Sequence, residues 1–166
     1  MASIRRRGDG DLPACVKIIK AVYRDSGYPV GGVDKALEEL RTDDQAWVAE
    51  DNGTIVGHVA MNEARESHAN VALWLEKHPQ ATDIALLARL FVHPEARRRG
   101  AASMLVRAVE EAARSEGRRL LILALDKDQD AIRLYRRLGW EHYGATVFRW
   151  GEGNEMDAEC FVSPFP

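Results

Sequence analysis

The chain has 166 residues, 46% of them apolar and 30% charged, and its 23 Lys and Arg against 26 Asp and Glu give a formal charge of -3. That length fits a single domain over 1–166 with a sizeable core, and the negative balance excludes a general basic field that would recruit nucleic acid. No apolar stretch approaches the ~20 residues that cross a bilayer, and Met-Ala-Ser-Ile-Arg-Arg-Arg lacks the apolar segment of a signal peptide, so a cytoplasmic protein with no membrane partner is expected.

In chain order, Ser3 to Arg7 reads as a short strand, and Asp9 or Asp11 can cap a helix whose apolar positions Leu12, Cys15, Ile18, Ile19 and Val22 recur at helical spacing. A loop rich in Gly and Pro, Ser26 to Gly32, leads to a short helix from Val33 to Leu40 that begins near Asp34. Ala46 to Glu50, the turn Asp51-Asn52-Gly53-Thr54 and Ile55 to Met61 predict a β-hairpin. Glu63 to Thr82 reads as an insertion with a helix at Asn70 to Lys77, where Val71, Trp74 and Leu75 share a face. Then follow a strand ending at Val92, a helix from about Arg99 to Ser115 stopped by Gly117, a strand at Leu120 to Leu125, and a helix from about Asp128 to Leu138 ending at Gly139. Two terminal strands, Ala145 to Trp150 and Met156 to Val162, flank a turn at Gly151-Glu152-Gly153-Asn154. A hairpin followed by alternating strands and helices predicts an α/β fold, a mixed sheet covered by helices. The Met156 to Val162 strand could pair across a homodimer, and a monomer is equally compatible.

Cys15 and Cys160 form no Cys-x-x-Cys, and His58, His68, His78, His93 and His142 show no ligand spacing, so no metal is implied. The chemistry concentrates at Arg97-Arg98-Arg99-Gly100-Ala101-Ala102, where the apolar run Ile84 to Val92 turns through Pro94 into an amphipathic helix. A helix N-terminus leaves backbone N–H groups without intrahelical partners and carries about half a positive charge, so it can hold a pyrophosphate. Small residues at Gly100, Ala101 and Ala102 let that backbone come close to a ligand. The bland alternative is a solvated helix start, but cations there oppose the helix dipole unless an anion is present.

A second motif follows at Ala131-Ile132-Arg133-Leu134-Tyr135-Arg136-Arg137-Leu138-Gly139-Trp140. From Leu90 to Trp140 the chain resembles the acetyl-CoA-binding half of the GNAT superfamily of N-acetyltransferases. Arg97, Gly100 and Ala102 match its Arg/Gln-x-x-Gly-x-Gly/Ala signature, and Ala131, Leu134, Tyr135 and Gly139 match Ala-x-x-Leu-Tyr-x-x-x-Gly-Phe, with Trp140 in place of Phe. The resemblance implies a mostly antiparallel sheet whose two central parallel strands, ending here at Val92 and Leu125, splay to admit the pantetheine arm.

It also implies acetyl-CoA as cosubstrate and acetyl transfer to a primary amine by direct attack, without a covalent enzyme intermediate. The N–H groups from about Arg98 to Ala102 would bind the pyrophosphate, and the side chains of Arg97 to Arg99 would add charge around it. The backbone at Phe91 and Val92 would pair with pantetheine. Ala131 would lie in the second cofactor-binding motif, and Tyr135 would stand near the CoA sulfur as general acid. Periodicity alone also allows Tyr135 to be a core aromatic, bordering the face of Ala131, Leu134 and Leu138. Asp128 stands where the family often has Asn, and it can simply cap its helix.

Many relatives carry an acid on the strand before the Arg-rich loop, but here Leu86, Leu87 and Ala88 are followed by Arg89. Glu63 and Asp83 are the nearest candidates for the base, with His68 third, and the ordinary reading of each is a surface residue. The irregular segments Ser26 to Gly32 and Glu63 to Thr82, with Tyr143, are expected to border the acceptor site. Glu63, Glu66, Glu76 and Asp83 favour a cationic small molecule or a peptide amine as acceptor. The absent strand carboxylate keeps open a CoA-binding sensing module that has lost transfer.

Overall fold

The computed structural model describes residues 2–164. Its elements are β1 (Ser3–Arg6), α1 (Leu12–Ser26), α2 (Ala36–Arg41), β2 (Gln45–Asp51), β3 (Thr54–Glu63), α3 (Ala69–Lys77), β4 (Ile84–Val92), α4 (Ala101–Ser115), β5 (Arg119–Leu125), α5 (Gln129–Arg137), β6 (Glu141–Trp150) and β7 (Asn154–Val162). Short 3-10 turns lie at Asp9–Asp11 and Pro94–Ala96. The strands form a seven-stranded sheet in the order β1-β2-β3-β4-β5-β7-β6. The pairs β1–β2, β2–β3, β5–β7 and β6–β7 are antiparallel, whereas β4 and β5 are parallel. This is the mixed sheet flanked by helices that the element order predicts, mostly antiparallel as the resemblance implies.

The parallel register is short: Ile84, Ala85 and Leu86 pair with Arg119, Leu120 and Leu121. Both strands continue beyond it, β4 to Val92 and β5 to Leu125, and β5 stays paired on its other side with β7 down to Leu125–Ala158. The β2–β3 hairpin closes at Asn52 and Gly53, both with positive φ (53° and 79°), the conformation of a two-residue turn matched to strand twist.

Contacts divide the chain into two compact units, one running up to Asn62 and resuming over Ala88–Val109, the other made of Glu63–Leu87 and the chain from Glu110 onward. The first has its core where Leu12, Cys15, Ile18, Ile19 and Val22 of α1 meet Ala36 and Leu40 of α2, Val48 and Phe91. These α1 residues are the ones its periodicity selects, because a 3.6-residue repeat puts them on one face. The second has its core at Val71, Trp74, Ile84, Leu86, Leu121, Tyr143, Cys160 and Val162.

Several boundaries differ from the sequence reading. α2 begins at Ala36 rather than near Asp34, and α4 begins at Ala101, leaving Arg99 and Gly100 in the preceding loop. Asp11 does not cap α1 through its side chain; its carboxylate takes the Gly8 N–H at 2.7 Å and the Arg5 guanidinium at 2.8 and 2.9 Å. β6 starts at Glu141, four residues before the predicted start, with a register shift between His142 and Gly144. The expectation that Met156 to Val162 pairs across a dimer is corrected, since β7 is bonded on both sides, to β5 and to β6. Its ladder groups are occupied, and β1 and β6 are the strands at the sheet's edges.

Candidate active site

Val92 ends β4 and the chain turns at once: the His93 N–H donates to Val56 O at 2.8 Å, and the His93 ring accepts the Glu95 N–H at 3.1 Å. Arg98 and Gly100 then adopt φ of 67° and 82°, and the first turn of α4 closes with Met104 N–H on Gly100 O at 3.0 Å. Arg97 and Arg98 form a turn before the bend at Arg99 and Gly100, and among the described residues the N–H groups of Arg98, Gly100, Ala101 and Ala102 have no loop or cap hydrogen bond to backbone. A left-handed turn followed by a helix N-terminus is a backbone arrangement able to bind an anion. Burial of Ala101, Leu105, Val106 and Val109 at helical spacing anchors α4, so its first turn is held firmly. Arg97 meets Asp25 at 2.6 Å and Arg99 stands 3.7 Å from Asp51, both partly exposed.

Phe91 and Val92 are buried at the end of β4, in the same unit as this loop. Just before them, Arg89 has φ 49°, a left-handed kink inside a strand that costs an L-residue ~1–2 kcal/mol unless its neighbours hold it. They do. His58 Nδ1 lies 2.9 Å from Arg89 O, while its Nε2 lies 2.9 Å from Arg7 Nη1. A guanidinium can only donate, so Nε2 accepts, and Nδ1 carries the proton given to the Arg89 carbonyl. Burial pushes the His58 imidazole down to about 4, and its ring stacks on Phe91 at 4.8 Å. Asp43, whose side chain is fully buried, receives the Arg89 guanidinium, Arg7 at 3.1 Å and the Asn62 amide at 3.1 Å.

In the other unit, Ala131 and Tyr135 lie on α5, and Tyr135 is buried (2% exposed), its ring centroid 5.0 Å from that of Trp140 and 6.3 Å from that of Phe161. Trp140 is pinned by its indole N–H on Glu110 at 2.7 Å. Asp128 occupies the position before α5 without a side-chain cap; its carboxylate meets Lys127 at 2.9 Å. Glu63 is held by both oxygens on Arg118 Nη2, at 2.9 and 2.8 Å. The Asp83 carbonyl accepts the Arg119 N–H at 2.8 Å, and Asp83 lines a cavity of about 380 Å³ with Trp74, His78 and Arg119. Both acids therefore stand where β4 and β5 begin. With Glu63 paired to a guanidinium, it no longer supports a cationic acceptor. Tyr143 does not border an open site: it is a core residue, edge-on to Trp74 at 5.0 Å, with its hydroxyl donating to Asn70 O at 2.8 Å. At the end of β5, Asp126 and Glu159 share a hydrogen bond that raises the Asp126 carboxyl and lowers Glu159, which also meets His142 at 2.7 Å.

The profile of the acetyltransferase (GNAT) family matches residues 14–140. The chain belongs to that family. N-acetyl transfer is the activity that goes with membership. The fold of this GNAT protein is similar to that of a ribosomal-protein-alanine N-acetyltransferase from Brucella melitensis, at 19% identity over 98% of this chain and 99% of that one, TM-score 0.74. It is also similar to an N-acetyltransferase from Staphylococcus aureus Mu50, at 19% over 98% and 97%, TM-score 0.72, and to Arabidopsis thaliana NAA60 in complex with acetyl-CoA, at 19% over 98% and 97%, TM-score 0.72. No curated protein sequence matches the chain. Among the described residues of this GNAT protein, no helix is long and apolar enough to cross a membrane.

Sequence reading of this acetyltransferase missed the Arg7–Asp43–His58–Arg89 cluster. A signal for it existed: Arg89 interrupts the apolar run Ile84 to Val92, and His58 stands within a strand otherwise rich in apolar residues. A polar side chain in an apolar run needs a hydrogen-bond partner, so each announces one.

Proposed function

We propose that this protein transfers the acetyl group of acetyl-CoA to a primary amine by direct attack of the amine on the thioester. What supports the reading is the loop before α4, where Arg98 and Gly100 have left-handed backbone and lead into a helix N-terminus, an arrangement that would hold a pyrophosphate. Backbone at Phe91 and Val92 would pair with the pantetheine arm, and Tyr135 would protonate the departing thiolate. Removing that hydroxyl is expected to cost modestly, because a thiolate whose conjugate acid has a pKa of roughly 8.5 leaves fairly well unaided. Tyr135→Phe should lower kcat at saturating substrates by roughly tenfold, below the ~10² to 10⁴ usual for acid–base loss. An undiminished kcat would remove Tyr135 from the chemistry.

No enzyme carboxylate is assigned as base. A lysine-type ammonium with a pKa near 10.4 costs on the order of 4 to 5 kcal/mol to deprotonate at neutral pH, so the acid limb of the pH–rate profile should follow the acceptor's own amine. Glu63→Gln and Asp83→Asn are accordingly expected to leave both the limb and the height of that profile unchanged. A shifted limb in either variant would return that carboxylate to the mechanism.

The missing strand carboxylate, with Leu86, Leu87 and Ala88 in its place, also favours a second reading, a CoA-binding module without transfer. Release of free CoA thiol across an amine panel, against a control without acceptor, separates the two. Release with one acceptor class establishes the enzyme, and silence while CoA still binds establishes the module.

A further inference from the structure

The Arg7–Asp43–Arg89 cluster brings two guanidiniums to a single carboxylate, and its histidine adds no charge because both ring nitrogens are committed, Nδ1 to Arg89 O and Nε2 to Arg7. Its members are unequally covered: the Asp43 side chain is 0% exposed, Arg7 11% and Arg89 26%. Arg7 is further tied down by Nη2 on Leu40 O at 2.8 Å. The surplus positive charge therefore meets the outside through Arg89. That residue stands two positions before Phe91, or about 7 Å along a strand rising ~3.3 Å per residue. Its unusual backbone, φ 49°, is maintained by His58 rather than relaxed, which fixes where the guanidinium emerges. A surface ion pair would not need a buried carboxylate, a neutral imidazole and an amide to orient it; a guanidinium that must present its fork to a ligand does.

We infer that Arg89 is a specificity-determining residue and that the acceptor is a small primary amine carrying a carboxylate or a similar oxyanion, which docks on the outward edge of this cluster; the inference rests on the acetyltransferase reading above. Asp43 positions Arg89 and leaves part of its fork for the ligand. A positive group beside the acceptor also disfavours the ammonium form, which helps a site without a carboxylate base to receive the free amine.

The test is CoA-thiol release with matched acceptors: an amino acid, its amide, the amine lacking the carboxylate, and the aminophosphonate. Wild type, Arg89→Met and Arg89→Lys are compared, with acetyl-CoA affinity measured for each to show that the fold persists. Wild type is expected to favour the oxyanion-bearing acceptors by at least about tenfold in kcat/KM. Arg89→Met should erase that preference mainly through KM, and Arg89→Lys should keep part of it, since it retains charge but not the fork. Preference for either the carboxylate or the phosphonate supports the inference and names the oxyanion. Transfer that proceeds equally well on amides or polyamines overturns it while the acetyltransferase reading stands, as does an Arg89→Met variant that loses kcat alike on every acceptor. Absence of transfer to any acceptor, with acetyl-CoA still bound, overturns the acetyltransferase reading and this inference with it.

Discussion

Replacing Gly100 with glutamate is expected to weaken acetyl-CoA binding by about 100-fold in a calorimetric titration, while the protein still unfolds cooperatively. Gly100 has φ 82°, and a Cβ built there meets no atom within 4 Å. Alanine at this position therefore clashes with nothing and bears only the left-handed backbone penalty, ~1–2 kcal/mol, or about tenfold in affinity if the loop relaxes away from its binding shape. Glutamate adds a negative charge beside a pyrophosphate. Two like charges ~4 Å apart repel by about 1 kcal/mol even at the dielectric of water and by more where the site is partly desolvated, which supplies the remaining factor. The comparison of Gly100→Ala with Gly100→Glu thus separates shape from charge. Equal losses in the two variants would mean that no phosphate lies against this turn, and unchanged affinity in both would place the cofactor elsewhere.

Acid destabilisation carried by His58 is the second large effect. In the unfolded chain its imidazole takes up a proton near 6.5, whereas in the fold burial holds that step down to about 4, with Arg7 and Arg89 opposing the charged form and Asp43 and the Arg89 carbonyl partly favouring it. Between those values the unfolded state binds more protons, so stability rises with pH through the window. The contribution is complete above about 6.5 and is lost progressively as pH falls toward 4. From pH 7 to pH 5 the loss is about 2 kcal/mol for a shift of this size. Urea unfolding at the two pH values should show wild type losing that much more than His58→Gln, which cannot titrate. Parallel losses would mean that the imidazole is charged, or solvated, in the fold. Because the same ring holds the Arg89 carbonyl, the His58→Gln variant also reports on how firmly the kink in β4 is kept.

The shape of the loop before α4 was readable because its requirements are local. A helix start needs donors left open, a left-handed turn calls for glycine, and Gly100 with Ala101 and Ala102 meets both conditions within a few residues. Tyr135 was half readable: its motif position named it, while its burial between Trp140 and Phe161 depends on a residue of β7 that is remote in sequence. The surroundings of Glu63 were not readable for a related reason. Its place at the end of a strand is evident in the chain, but nothing local says that Arg118, just before β5, will meet it.

By itself the sequence determined the order and type of the elements, the hairpin at Asn52-Gly53, the core face of α1 and the two motifs of the family, since periodicity, capping and turn chemistry act over a few residues. The tertiary structure alone decided that β7 lies between β5 and β6, that Tyr143 is a core residue, and that Arg7, Asp43, His58 and Arg89 form a single cluster. Strand order and register follow from which faces can be buried together, and a charge is stable inside a protein only where chain segments far apart in sequence bring it a partner.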